Sequence, residues 1–537
     1  MMPVIEGSHI NQGMNEMHVD TVIRGGTVID GSGAAGFAGD VGITDGVIVV
    51  IGDLGEVTAG EEINANGRIV APGFIDVHIH SEIAIADTAN PYRYGSVLQG
   101  VTTHLTAPDG FGWAPLMGEP AHQLWDGLRF AYGEAPFPIG WPSARDYLSI
   151  FPGNTPVNVV PQVPACAVRM AVLGWDTRAP DPDELRRMED LTREWLEAGA
   201  KCLNLGLDYQ PSAFATTDEL IALSRVAKEY DGLYAAHVRY NGLGRAEAFR
   251  ETWRIAEGAD IPVHISHERI DAESAVLFAE GEERADISFE SYLYPAGCTH
   301  LALMLPLWAQ AGGPDAIQAR LRDPDARARM RAVLDDKLNN DPMRARVVCV
   351  DDQTGAYVGR EIQAMAEEEG IPFGELAIRI LETEHPYALM VYHRRTTPEA
   401  LRNEITTTLR HPKMMVASDG MYSGVSAHPR AYGCFGQAVR LGVREYGAIT
   451  LEEAVHKMSG YPAERFRIPR RGFLREGFGA DVVIFDADTY ADRATWDEPR
   501  LEPAGVDRVI VNGTTVVLGG SPTGALPGRV IDCNASA

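Results

Sequence analysis

Residues 72–82 read PGFIDVHIHSE, and the stretch IDVHIH (75–80) inside it decides the rest. Apolar residues alternate with polar ones, as on a strand, and His78 and His80 stand two apart, which places both imidazoles on one face. They close the run, immediately before the polar pair Ser81–Glu82. Two imidazoles on one rigid face make half of a metal site; the competing reading is a pair of satisfied core or surface histidines.

The placement recurs. His237 closes LYAAH (233–237), His267 closes PVHISH (262–267) and Asp419 closes MMVASD (414–419). With 101–106, 157–161, 201–206 and 286–292 these make eight candidate strands. Amphipathic helical stretches lie between them. In 182–198 Asp181 caps, Pro182 suits the first turn, and Leu185, Met188, Leu191 and Trp195 form a stripe. Strands alternating with helices predict an α/β fold, a (β/α)8 TIM-like barrel. Ligand-type residues at strand C-termini are where such a barrel gathers its chemistry.

The flanks read differently. Short β-branched runs broken by TDG (44–46), NG (512–513) and GG predict a small β-sandwich built from both chain ends, residues 19–70 and 473–537. The barrel then spans 71–472. Residues 293–413 exceed one crossover and read as an inserted subdomain between the last two barrel strands. Residues 1–18 read as a disordered leader.

Across 537 residues, 47 basic side chains face 75 acidic ones, a net charge of −28 that argues against a phosphate-tracking or anionic-membrane binder. The six cysteines show no paired spacing, so neither a disulfide framework nor a zinc knuckle is expected. With no signal-peptide pattern and no apolar run near ~20 residues, a soluble cytoplasmic protein acting on a small molecule is the expectation. The sequence leaves a homo-oligomer open.

Beyond its spacing, PGFIDVHIH resembles the first-strand motif of the amidohydrolase superfamily. NLGLDYQPSAFATTDELIAL, AAHVRYN, PVHISHER, LPLWAQAGG with ARLRDPDARARM, VASDG with HPRAYG, and ADRATWDEPR with VIVNG are similar, in that order, to the D-aminoacylase (N-acyl-D-amino-acid deacylase) family. The resemblance runs from about residue 20 to the C-terminus. It implies His78, His80, His237 and His267 as metal ligands, and Asp419 as a weak ligand and the general base. It implies Arg430 of HPRAYG as the group holding a substrate carboxylate, with Arg269 and Tyr294 as further substrate contacts. The cofactor it implies is Zn²⁺, one or two ions, with other divalent metals open.

One position departs from the pattern. In GVTTHLTAPDG the family's metal-ligating Cys is replaced by Asp109, before Gly110. A carboxylate can ligate in its place, as a harder donor, or Asp109 is a turn residue. His104 is an extra candidate that reads as structural. Lys201 is declined as a carbamylated ligand, since the matching position is Asn204, and His264 points away from His267 by alternation.

The activity this implies is hydrolysis of the amide of an N-acyl amino acid, of the D series, or of a related N-acyl amide, by hydroxide held on the cation, with Asp419 moving the proton. The alternatives are an amidohydrolase acting on a cyclic amide, lactone or xenobiotic anilide, and a non-catalytic barrel scaffold.

Overall fold

The computed structural model of the chain describes residues 17–340, 346–351, 354–384, 388–424 and 427–535. The expected leader falls almost wholly outside these residues, and the described chain enters its first strand at His18.

Both chain ends contribute to one nine-stranded sheet. The seam is Ile69–Pro72 against Val482–Phe485, antiparallel, with Val482 opposite Pro72 and Phe485 opposite Ile69. The turn signals act locally as their chemistry requires. Asp45–Gly46 and Asn512–Gly513 each hold positive φ at both residues (52° and 74°; 47° and 79°), the twist that joins Phe37–Thr44 to Val47–Gly52 and Val506–Val511 to Thr514–Leu518.

Between these ends lies a run of parallel pairings that closes on itself. Phe74–Asp76 pairs with Val101–Leu105, which pairs with Asn158–Val160. The third strand resumes at Val163–Pro164. From there Cys202–Gly206, Leu233–His237, Val263–Ile265, Ile287–Ser291 and Met414–Val416 follow as neighbours. Gly420–Met421 then pairs with Ile79–His80, joining the eighth strand to the first. The alternating pattern predicts these eight strands close to where they form. The helix 182–198 forms as Pro182–Glu197, with Asp181 and Glu184 completing a reciprocal capping box. Met188 and Trp195 are buried on it, while Leu185 and Leu191 are half-buried.

Three strand ends depart from the simple reading. IDVHIH is broken at Val77–His78, PVHISH stops pairing at Ile265, and MMVASD stops at Val416. His267 and Asp419 lie beyond their strands with φ of 40° and 48°. The period-2 argument therefore places these side chains at the correct rim but does not set their direction; left-handed backbone re-aims them.

Between the seventh and eighth strands, Ala296–His300, Leu389–His393 and Arg346–Asp351 form a separate three-stranded antiparallel sheet. The helices beside it include Gly313–Arg322 and Phe373–Glu384. Leu301, Met304, Leu321, Leu334, Leu376 and Ile380 form a core of their own there. The following helix, Pro398–Arg410, returns to the ring, where Thr408 Oγ1 accepts from the Ile270 N–H at 3.0 Å.

Under the eighth strand, the helix Leu451–Met458 presents Lys457, whose Nζ donates to the carbonyls of His411 (2.8 Å) and Met414 (3.2 Å). Burial pushes its pKa from an ordinary 10.5 down to about 8. Between those values the unfolded chain binds the proton that the folded chain has lost, so stability rises with pH across that window, by up to about 3 kcal/mol from this group. Lys457→Met is expected to flatten that rise in urea unfolding curves recorded from pH 8 to 10; an equal slope in both proteins would show that Lys457 keeps its proton on folding.

Candidate metal centre

His78 and His80 are each about 1% exposed. Their Nε2 atoms converge on two carboxylates from other strands. His78 Nε2 lies 3.6 Å from Asp109 Oδ1 and 3.7 Å from Asp419 Oδ1, and His80 Nε2 lies 3.7 Å from Asp109 Oδ2 and 3.4 Å from Asp419 Oδ1. His267 Nε2 is 3.8 Å from Asp109 Oδ1. Among the described residues, two groups thus have donor atoms close enough together for one ion: His78–Asp109–His267 and His78–His80–Asp419.

His237 completes the cup from the fifth strand. Its Nε2–H donates to Asp208 Oδ2 at 3.0 Å, which leaves Nδ1 as a lone pair 2.9 Å from His267 Nε2. His78 Nε2, His80 Nε2 and Asp109 Oδ1 are buried and find no hydrogen-bond partner. Buried polar atoms are otherwise nearly always satisfied, so a cluster of orphaned imidazole nitrogens and carboxylate oxygens suits a cation. The donor set is mixed nitrogen and oxygen, suited to zinc and to harder divalent ions.

The electrostatics follow from burial and its compensation. Burial would keep Asp109 protonated, but the imidazoles of His78 and His267 outweigh it and hold the carboxyl well below the usual range. Burial also opposes ionisation of Asp419. Arg430, with Nη1 2.8 Å from Asp419 Oδ2, chiefly reverses this and brings the pKa to about 2. Asp109, like Asp419 and His267, has positive φ (55°), so three of the converging residues stand on left-handed backbone. Asparagine and aspartate tolerate that conformation better than most residues, which suits a carboxylate at two of the three positions.

The basic candidates lie to one side of the cup. Arg430 is fully buried over the Tyr292 ring (4.6 Å), and Arg269 lies 5.1 Å from the same ring. Arg269 also pairs with Glu404 at 3.2 Å and donates to the Tyr294 carbonyl. The Tyr294 hydroxyl is directed to Asp492 Oδ2 at 3.5 Å. Of the two tyrosines in SYLYPAG it is therefore Tyr292 whose ring meets both guanidiniums. A two-residue spacing puts both on the same nominal face, and only the chain's departure from the strand after Ser291 separates them.

Other polar candidates fall where the sequence leaves them. His104 sits between the hydroxyls of Ser81 (2.8 Å) and Ser96 (2.7 Å), and burial lowers its pKa to about 3. Lys201 Nζ donates to the Tyr230 carbonyl at 2.7 Å, and Asn204 donates to Gln162 at 3.0 Å.

Sequence reasoning misses the acids behind the cup. Glu290 accepts from His78 Nδ1 at 2.9 Å, and Asp208 accepts from His237. A glutamate in the middle of the buried run ISFES is the available signal, because such a charge needs a partner.

The amidohydrolase family model matches residues 61–517. The chain belongs to the amidohydrolase family. Among characterised relatives, the D-aminoacylase of Alcaligenes xylosoxydans xylosoxydans is 30% identical over 95% of this chain and 97% of its own length. The N-acyl-D-glutamate deacylase of the same organism is 31% identical over 96% and 97%. The crystal structure of the N-acyl-D-glutamate deacylase of Bordetella bronchiseptica, complexed with zinc and a phosphonate mimic of the tetrahedral intermediate, superposes with a TM-score of 0.80. That protein is 29% identical, and the match covers 96% of this chain and all of the other.

Within this family frame, Asp109→Ala is expected to strip divalent cation from folded protein, measured by elemental analysis after gel filtration. Asp109→Cys, with a softer donor, should retain zinc against a chelator better than the native residue. Unchanged cation content in the Ala variant would leave Asp109 as a turn residue only.

Proposed function

We propose that this protein is a metal-dependent hydrolase that cleaves the amide bond of N-acyl-D-amino acids, with zinc as cofactor, held as one or two ions. The observation that carries the reading is the cup itself: five converging His and Asp side chains, of which His78, His80 and Asp109 have buried donor atoms without a hydrogen-bond partner, and a buried arginine at its edge. The acylase and deacylase relatives supply the substrate class. A non-catalytic scaffold has no use for orphaned buried donors, which cost stability unless a ligand compensates them.

His78, His80, Asp109, His237 and His267 would hold the metal, with Asp419 as a further, weaker ligand. When bound, a divalent cation polarises the scissile carbonyl and lowers the pKa of water. Asp419 is placed to take a proton from the attacking water and return it to the leaving nitrogen. Its low pKa keeps it ionised at neutral pH. Arg430 and Arg269, both against the ring of Tyr292, provide two fixed positive charges for the substrate carboxylate. Arg430 would then bridge that carboxylate and Asp419, tying recognition of the amino acid to the position of the base.

The same reading divides the chain into a sandwich-like unit from residues 19–70 and 473–537 and a catalytic barrel over 71–472. The insertion within 293–413 covers the side of the cup nearest Tyr209 and Phe130, through ring contacts from His300.

The deciding experiment pairs N-acyl-D- with N-acyl-L-amino acids on zinc-loaded protein. Turnover is expected for the D series, and turnover of only lactones, cyclic amides or anilides would replace this assignment. Asp419→Asn is expected to keep the fold and most of the metal while kcat falls by roughly 10²–10⁴, the range general acid–base groups contribute. Near-native turnover in that variant would remove Asp419 from the chemistry.

A further inference from the structure

Glu290 stands on the seventh barrel strand, about 1% exposed, behind the cup rather than in it. Its Oε1 accepts from two groups at once: Nδ1–H of His78 at 2.9 Å and the backbone N–H of His267 at 2.9 Å. Its Oε2 accepts from Nε2–H of His264. The far nitrogen of that ring, Nδ1, takes the hydroxyl of Ser288 at 2.7 Å. Three strands are thereby tied to one carboxylate: the first through His78, the sixth through His264 and His267, and the seventh, which carries Glu290 itself.

The consequence for the cup is directional. A carboxylate accepting at Nδ1 fixes the proton of His78 there and leaves Nε2 as a bare lone pair, the atom that faces Asp109 and Asp419. His78 is the member common to both three-residue donor groups. The second Oε1 contact holds the peptide N–H of His267, whose backbone is left-handed (φ 40°). His80 has no comparable support, since its Nδ1 meets only the Tyr132 hydroxyl at 3.4 Å.

We propose that Glu290 is a positioning residue for the metal centre: through one carboxylate oxygen it sets the ring of His78 and the backbone of His267, and so aims both imidazoles at the cation. His264, which points away from the cup, acts as the brace that holds Glu290 in place. The proposal deepens the metal-centre assignment above and rests on it.

The test is a zinc titration of metal-stripped, folded protein against a chromophoric chelator, together with the visible spectrum of the Co²⁺-loaded protein. Glu290→Gln keeps the size and the hydrogen-bonding reach of the side chain but removes its charge. Partners behind a ligating histidine typically contribute 10–100-fold in affinity, so the Gln variant should bind zinc weaker by about that factor and shift the Co²⁺ spectrum. Glu290→Asp keeps the charge one methylene further back and should lose less. An affinity and spectrum equal to wild type in either variant would overturn the positioning role, because a purely structural residue leaves both unmoved. Wild-type protein that takes up no cation would instead overturn the metal-centre assignment itself, a different failure seen before any variant is made.

Discussion

Two carboxylates, Asp109 and Asp419, are buried within 4 Å of the same imidazole nitrogen, His78 Nε2. Like charges so placed, in a region largely closed to water, are tolerable only if positive charge is supplied from elsewhere. The surroundings supply it unequally. Asp419 has the permanent cation of Arg430, whereas Asp109 has only imidazoles, which are positive only when protonated. A divalent ion would meet the remaining demand of Asp109 and the orphaned nitrogens together. Much of the nearby architecture serves to keep this otherwise unfavourable group of atoms in place.

That architecture works through hydrogen bonds at the rim of the ring of strands. The Asp419 N–H donates to the His78 carbonyl at 2.8 Å, so the bond that joins the eighth strand to the first also fixes two members of the cup. Asp76 accepts from the N–H of Ser418 at 3.0 Å and from that of His78 at 3.3 Å, bracing the same seam from beneath. Glu290 repeats the arrangement across the first, sixth and seventh strands. Rigid strands carry the converging side chains to the rim; buried acids then set the last few ångströms of direction.

The basic side of the cup is built from charge on an aromatic plate. Tyr292 lies against both Arg269 and Arg430, and Glu404 anchors Arg269 from the outside. Two guanidiniums gathered at one ring repel, and the π face of Tyr292 together with the carboxylates of Asp419 and Glu404 offsets that cost.

Much of this was legible in the chain itself. Alternating apolar runs ended by His78, His80, His237, His267 and Asp419 gave the strands and the residues at their ends, because side-chain period and strand-end polarity are local properties. The turns at Asp45–Gly46 and Asn512–Gly513 and the capped helix at Asp181 are equally local, since each is set within four residues. Tertiary structure alone decided the rest. Only long-range pairing brings Asp109 against His267, sets Glu290 behind His78 at a sequence separation of 212 residues, and joins Ile69–Pro72 to Val482–Phe485 in one sheet. Backbone torsion beyond the last strand bond turned His267 and Asp419 inward and chose Tyr292 over Tyr294, because two residues with the same period part company once the pleat that gave the period has ended.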